Sequence, residues 1–191
     1  NDENVTAYTA KCLRVFMGKH IKHGIIPLIL LRLFKHKYGV MEKKEMDEHL
    51  YVSVGIVGGL KNSFYDHNLN DLTWWTQKHN NYAIKEAKEL LCIEYCINKN
   101  VVVNSGEHAI SVRKNKLRYI KLPLFFRCFL FFVYRYIFRF GFLDGKEGFL
   151  WHFLQGFWYR VLADAKVYEL KKRFNFDDEK IKQYLREKYS L

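Results

Sequence analysis

Between Met41 and Leu50 the chain reads MEKKEMDEHL, so Glu42, Glu45, Asp47 and Glu48 stand together, followed by His49, in a protein that is otherwise basic. A carboxylate at the start of a strand can act as a general base, taking the proton from an attacking hydroxyl. The same acids can equally form a solvated loop that offsets Lys43 and Lys44. A second polar group comprises Asp66, His67, His79, Asn80 and Tyr82. Asp66 and His67 suit a hard divalent cation, but two neighbouring ligands fall short of a site. Lys78, Tyr82 and Glu86 recur at four-residue spacing, which puts them on one helical face. That face either reads an anionic group or is simply wet. The chain carries no P-loop, GxGxxG, HExxH or GxSxG pattern.

A different chemistry dominates residues 113–143, RKNKLRYIKLPLFFRCFLFFVYRYIFRFGFL. Eight Lys and Arg side chains, no acid and ten Phe or Tyr rings from Phe125 to Phe142 make up much of it. A spanning helix needs about 20 mostly apolar residues. Here Arg127, Arg135 and Arg139 would sit at membrane depth, at about 2.5–3.5 kcal/mol each, which argues against spanning. The three arginines lie eight and four residues apart, near one helical face, with rings over most of the rest. This predicts a helix lying in the membrane interface. Phe125, Phe129, Phe132 and Phe138 would enter the headgroup boundary, and Arg127, Arg135 and Arg139 would reach lipid phosphates. The alternative is a buried aromatic helix whose arginines pair with acids elsewhere in the fold.

Lys and Arg number 32 against 20 Asp and Glu, a formal charge of +12. Such a balance favours an anionic partner. The basic stretch is too apolar and continuous for the groove and stacking platforms of a general nucleic-acid binder, so no nucleic-acid partner is expected. Cys12, Cys92, Cys96 and Cys128 lack zinc spacing and read as reduced thiols of a cytosolic protein.

Several elements must position these groups. Gly18, Gly24 and Pro27 punctuate the first 40 residues into short strands and turns. Leu50, Val52 and Val54 alternate, and Ile56-Val57 follows Gly55, reading as a hairpin or two short strands. Asn70 or Asp71 caps a helix through Cys96. A polar connector, residues 98–112, precedes the basic-aromatic segment. Another helix is predicted from about Glu147 to Phe174, and Asp177-Asp178 caps a last one to Tyr189.

Five blocks in order carry a family likeness: RVFMGKHIKHG, LLRLFKHKYG, MDEHLYVSVGIVGGLKN, DLTWWTQKHNNYAIKEA and LPLFFRCFLFFVYRYIFRFGFLDGKEGFLWHFLQGFWYRVLADAKVYE. From Cys12 to Glu169 the chain resembles the C-terminal portion of bacterial family 2 glycosyltransferases, the branch that builds colanic acid, other exopolysaccharides and lipopolysaccharide core. The resemblance implies an α/β fold, part of the Rossmann-like glycosyltransferase A arrangement over residues 1–112, followed by amphipathic membrane-associating helices over 113–191. It implies inverting transfer of a hexose from a nucleotide sugar to a lipid-linked or polysaccharide acceptor, on the cytoplasmic face of the plasma membrane. Glu48 is the implied base, with Asp47 second. Arg32 resembles a basic position near the donor phosphates; with it, His49, Lys78 and Tyr82 are the expected contacts of the donor phosphates or the acceptor. A divalent metal, Mg or Mn, is expected for the full-length enzyme. Its Asp-x-Asp motif does not occur in these residues, so the chain by itself is expected to be inactive. The alternative function is a non-enzymatic module that docks on anionic lipid.

Overall fold

The computed structural model describes residues 4–41, 50–95, 97 and 117–189. The chain divides into two compact units, Asn1–Asp71 with Tyr134–His152 and Leu72–Val133 with Phe153–Leu191. The expected boundary near residue 112 lies outside the described residues.

The first unit is built on one long strand, β1 (Val5–Phe16). Two strands run antiparallel to it: β2 (Lys19–His20), with Val15 opposite His20, and β3 (Leu28–Phe34), with Cys12 opposite Leu28. Two more run parallel to it: β6 (Ile56–Gly59), with Val5 opposite Ile56, and β7 (Phe64–His67), with Cys12 opposite Phe64. Val15 pairs with β2 and β7, and Cys12 with β3 and β7. A residue has only two sides to pair, so β2 and β3 share one edge of β1 and β6 and β7 the other. Met17 and Gly18 make the turn into β2, both at positive φ, where glycine is at ease and methionine is not.

Side chains alternate faces along a strand. Ala10, Cys12 and Phe16 are buried on one face of β1, and Phe16 packs against Trp151 with ring centroids 5.3 Å apart. Trp151 ends helix α3 (Gly145–Trp151). A separate two-stranded ribbon pairs β4 (Gly39–Met41) with β5 (Leu50–Val52), Met41 opposite Leu50. The segment expected as a hairpin or two short strands is therefore two strands in different sheets: β5 in the ribbon, β6 on β1.

The second unit is helical. Helix α1 (Leu72–Glu94) begins directly after Asp71, as the capping signal predicts. Its Ala87, Leu90 and Leu91 form a core with Val167 of α4 (Tyr159–Arg173) and with Ile181 and Leu185 of α5 (Asp178–Tyr189). Asp177 Oδ1 accepts from the backbone N–H groups of Glu179 and Lys180 at 3.1 and 3.2 Å, the predicted cap of the last helix. Helix α2 (Phe126–Val133) carries the first half of the aromatic run. Residues Tyr134–Phe138 and His152–Trp158 are wound as π-helix. No spacing rule announced those wide turns. Among the described residues no helix is long and apolar enough to cross a membrane.

Candidate functional site

Arg32 sits at an irregularity in β3. Tyr8 pairs with Leu33 and Thr9 with Leu31, so Arg32 is the extra residue of a β-bulge. Bulges bend a strand locally, re-aim a side chain and recur beside functional sites. The Arg32 guanidinium lies 4.9 Å from the centre of the Phe64 ring. Phe64 is opposite Cys12, and Asp66 opposite Arg14, so these four side chains share one face of the sheet. Arg32, reaching over Phe64, comes to that same face. Arg14 forms an ion pair with Asp66 through Nη1 and Oδ2, and its guanidinium stands 5.4 Å from the Trp151 ring centre.

Burial pushes the Cys12 thiol up, Arg14 and Arg32 pull against that shift, and Asp66 adds to it. All three charges therefore act at one thiol.

Met41 and Leu50 close the ribbon on either side of residues 42–49. The implied catalytic residues Asp47 and Glu48, and His49 with them, lie outside the described residues. The ribbon's β5 neighbours β3, the strand of Arg32.

Lys78 and Tyr82 come together on α1 as their spacing predicts. Lys78 Nζ lies 5.6 Å from the Tyr82 ring and 4.7 Å from that of Trp74. Trp74 was not singled out from the sequence, although its four-residue offset from Lys78 marks the same helical face. Beside it, Trp75 stacks on His79 with centroids 3.5 Å apart, and Tyr159 meets His79 edge-on at 5.6 Å. This assigns His79 to packing.

The membrane-contact expectation needs correction at two residues. Arg127 is only 3 % exposed and ion-paired with Asp164, which is 1 % exposed. Its Nε also donates to Asp164 Oδ1 and Oδ2 at 3.1 and 3.0 Å. Arg135 is 8 % exposed and donates to the Gly24 carbonyl at 2.9 Å. Neither guanidinium can reach a lipid phosphate, because each is spent on an internal acceptor. Arg139 donates to the Ile25 carbonyl at 3.3 Å. The rings behave otherwise. Phe125, Phe126, Phe129 and Phe138 are exposed, Phe138 by 69 %, while Phe132 is half-buried against Phe157. In the first unit an open groove of about 560 Å³ is lined by Tyr136, Phe142, Gly145, Lys146, Phe149 and Leu150.

Asp144 and His152, both missed from sequence, organise the first unit. Asp144 Oδ2 accepts from the backbone N–H groups of Lys22 and His23 at 2.9 and 2.8 Å, and its Oδ1 lies 2.7 Å from His23 Nδ1. Burial works to raise its pKa, but these bonds win and hold the carboxyl below the usual range. His152 is fully buried, with Nε2 donating to the His23 carbonyl at 3.2 Å. Burial, reinforced by the Arg135 charge, pushes its pKa down to about 4.

Among the described residues no three His, Cys, Asp or Glu side chains converge as metal ligands. Asp66, on the same face of the sheet as Phe64, is ion-paired with Arg14. The described residues therefore do not fit a divalent metal. Comparison with protein-family models, with curated proteins and with solved structures finds no match.

Proposed function

We propose that this chain is the acceptor-side part of an inverting glycosyltransferase of the bacterial family 2 type, with a partial glycosyltransferase A fold. One observation carries the reading: Arg32 stands at a bulge of β3, and β3 neighbours β5 of the ribbon whose two strands flank residues 42–49 in the sequence. That chemistry needs a cation for a leaving diphosphate and a carboxylate for the acceptor hydroxyl. In the step, Glu48 removes the hydroxyl proton as the acceptor oxygen bonds to the anomeric carbon. The bond from that carbon to the diphosphate breaks from the opposite side, and Arg32 offsets the charge that leaves.

The sheet supports the reading in a second way. Ile29, Leu33, Ile56, Val57 and Tyr65 of its strands are exposed, apolar surface of the kind a nucleotide-binding portion would cover. The donor is a nucleotide sugar, the acceptor lipid-linked or a polysaccharide, and the place of work the inner face of the plasma membrane. A divalent metal, expected for the full-length enzyme, would be held by residues that are not in this chain.

The test is Glu48→Gln in the full-length protein. Sugar transfer should fall to background while nucleotide-sugar binding persists, because only proton removal is lost. Transfer at the wild-type rate removes Glu48 from the mechanism.

A second reading, a non-enzymatic module on anionic lipid, draws on the exposed rings Phe126, Phe129, Phe138 and Phe140. It predicts vesicle binding in a protein that never transfers sugar.

A further inference from the structure

We infer that Arg14 joins Arg32 in a two-cation site for a diphosphate on one face of the first unit's sheet, with Asp66 holding Arg14 until the anion arrives. The inference rests on the glycosyl-transfer reading for its ligand class and adds a second cation to it.

Register places the groups. Cys12 and Arg14 are two residues apart on β1, so they point to the same face. Phe64 and Asp66 stand beside them on β7. Arg32 reaches that face from the other edge of β1, over the Phe64 ring. Both guanidinium groups therefore lie on the face that carries Phe64 and the buried Cys12, Arg32 over the Phe64 ring. Both cations are open to solvent, Arg14 in part and Arg32 freely.

A planar guanidinium suits a phosphate, which it can grip through two parallel hydrogen bonds. Arg14 already donates to an anionic oxygen on this side, Oδ2 of Asp66. The Arg14–Asp66 pair is 32 % and 46 % exposed, and exposed ion pairs contribute little to stability. A multivalent anion can therefore displace the carboxylate at small cost. A bulge at the other cation is what such a site requires, because a regular ladder would seat residue 32 by strict alternation and not by the demands of a ligand. A single phosphodiester carries one negative charge, whereas the diphosphate of a nucleotide sugar carries two and spreads them over two phosphorus centres, one for each guanidinium.

Titrating the 191-residue chain with inorganic pyrophosphate, followed by calorimetry or phosphorus NMR at low salt, tests the site. Binding should weaken by about tenfold or more in Arg14→Ala and in Arg32→Ala, as expected when a charge-assisted contact is lost. Lys11→Ala removes an exposed cation from the opposite face of β1 and should leave binding nearly unchanged. Asp66→Asn should tighten binding several-fold, a gain that misfolding cannot mimic. Equal weakening by Lys11→Ala and Arg14→Ala, or no gain from Asp66→Asn, overturns the inference. Transfer by the full-length protein keeps the two proposals separable. Full transfer in Arg14→Ala sinks this site and spares the enzyme, and pyrophosphate binding without any transfer does the reverse.

Discussion

Arg127 and Asp164 close on each other in the interior of the helical unit, 3 % and 1 % exposed. The same carboxylate accepts from the Phe125 backbone N–H at 2.8 Å and from Cys128 Sγ at 3.2 Å. Asp164 thus fixes the start of α2 and the residue before it, Phe125, which sits at φ +67. Removing one member leaves a buried charge without its partner. Asp164→Asn and Arg127→Met should each cost about 3–5 kcal/mol by this mechanism. The double variant should cost less than the sum, because it leaves neither charge stranded. Urea unfolding of the three proteins decides; additive losses would show that the two side chains are not coupled.

Two glycines make room for His152. A Cβ on Gly24 would lie 2.5 Å from the ring, and one on Gly141 would lie 2.6 Å from it. Gly24 also holds φ +67. Gly24→Ala and Gly141→Ala should each lower stability by about 1–3 kcal/mol through overpacking. Gly59→Ala is the control, since a Cβ there meets nothing within 4 Å. Thermal melts that rank Gly59→Ala below the other two would contradict this.

His152 gives the first unit a pH response. An unfolded histidine titrates near 6.5, but in the fold the ring titrates at about 4. Between those values the unfolded chain binds the extra proton and the folded one does not, so stability falls as pH drops. The slope is at most about 1.4 kcal/mol per pH unit, and it ends near pH 4, where both states are protonated. Asp144, with its depressed pKa, adds a loss of the same sign at still lower pH. His152→Gln should melt lower at pH 7 yet lose most of the slope between pH 4 and 6.5. An unchanged slope in that variant assigns the pH response to other groups.

Vesicle binding separates rings from arginines. Phe138→Ser and Phe126→Ser replace exposed rings and should weaken partition onto vesicles of anionic phospholipid by several-fold each. Raising salt should weaken it further through screening. Co-sedimentation that is indifferent to both substitutions would remove these rings from any membrane contact.

The sequence was most legible where backbone rules act locally. The Asp177 cap, the start of α1 after Asp71 and the glycine-marked turns around β1 all follow from single residues and their neighbours. It was least legible where an interaction crosses the chain. Asp164 lies 37 residues from Arg127, and Asp144 lies 121 from His23, so composition flagged the arginines as surplus cations when their acceptors were far off in sequence. The bulge at Arg32 was invisible for the same reason: a doubled residue is defined only against its partner strand. The pairing of Lys78 with Tyr82 was readable because both sit on one helix.

That doubled residue has an evolutionary corollary. Loss of the single codon for Arg32 would leave Leu31 and Leu33 against Thr9 and Tyr8 in unbroken ladder, so the sheet would survive while its cation vanished. Loss of one codon anywhere between Leu28 and Leu31 would instead shift the pairing of every residue before the bulge or absorb the bulge itself. A deletion at position 32 should therefore be tolerated by the sheet far better than one between Leu28 and Leu31.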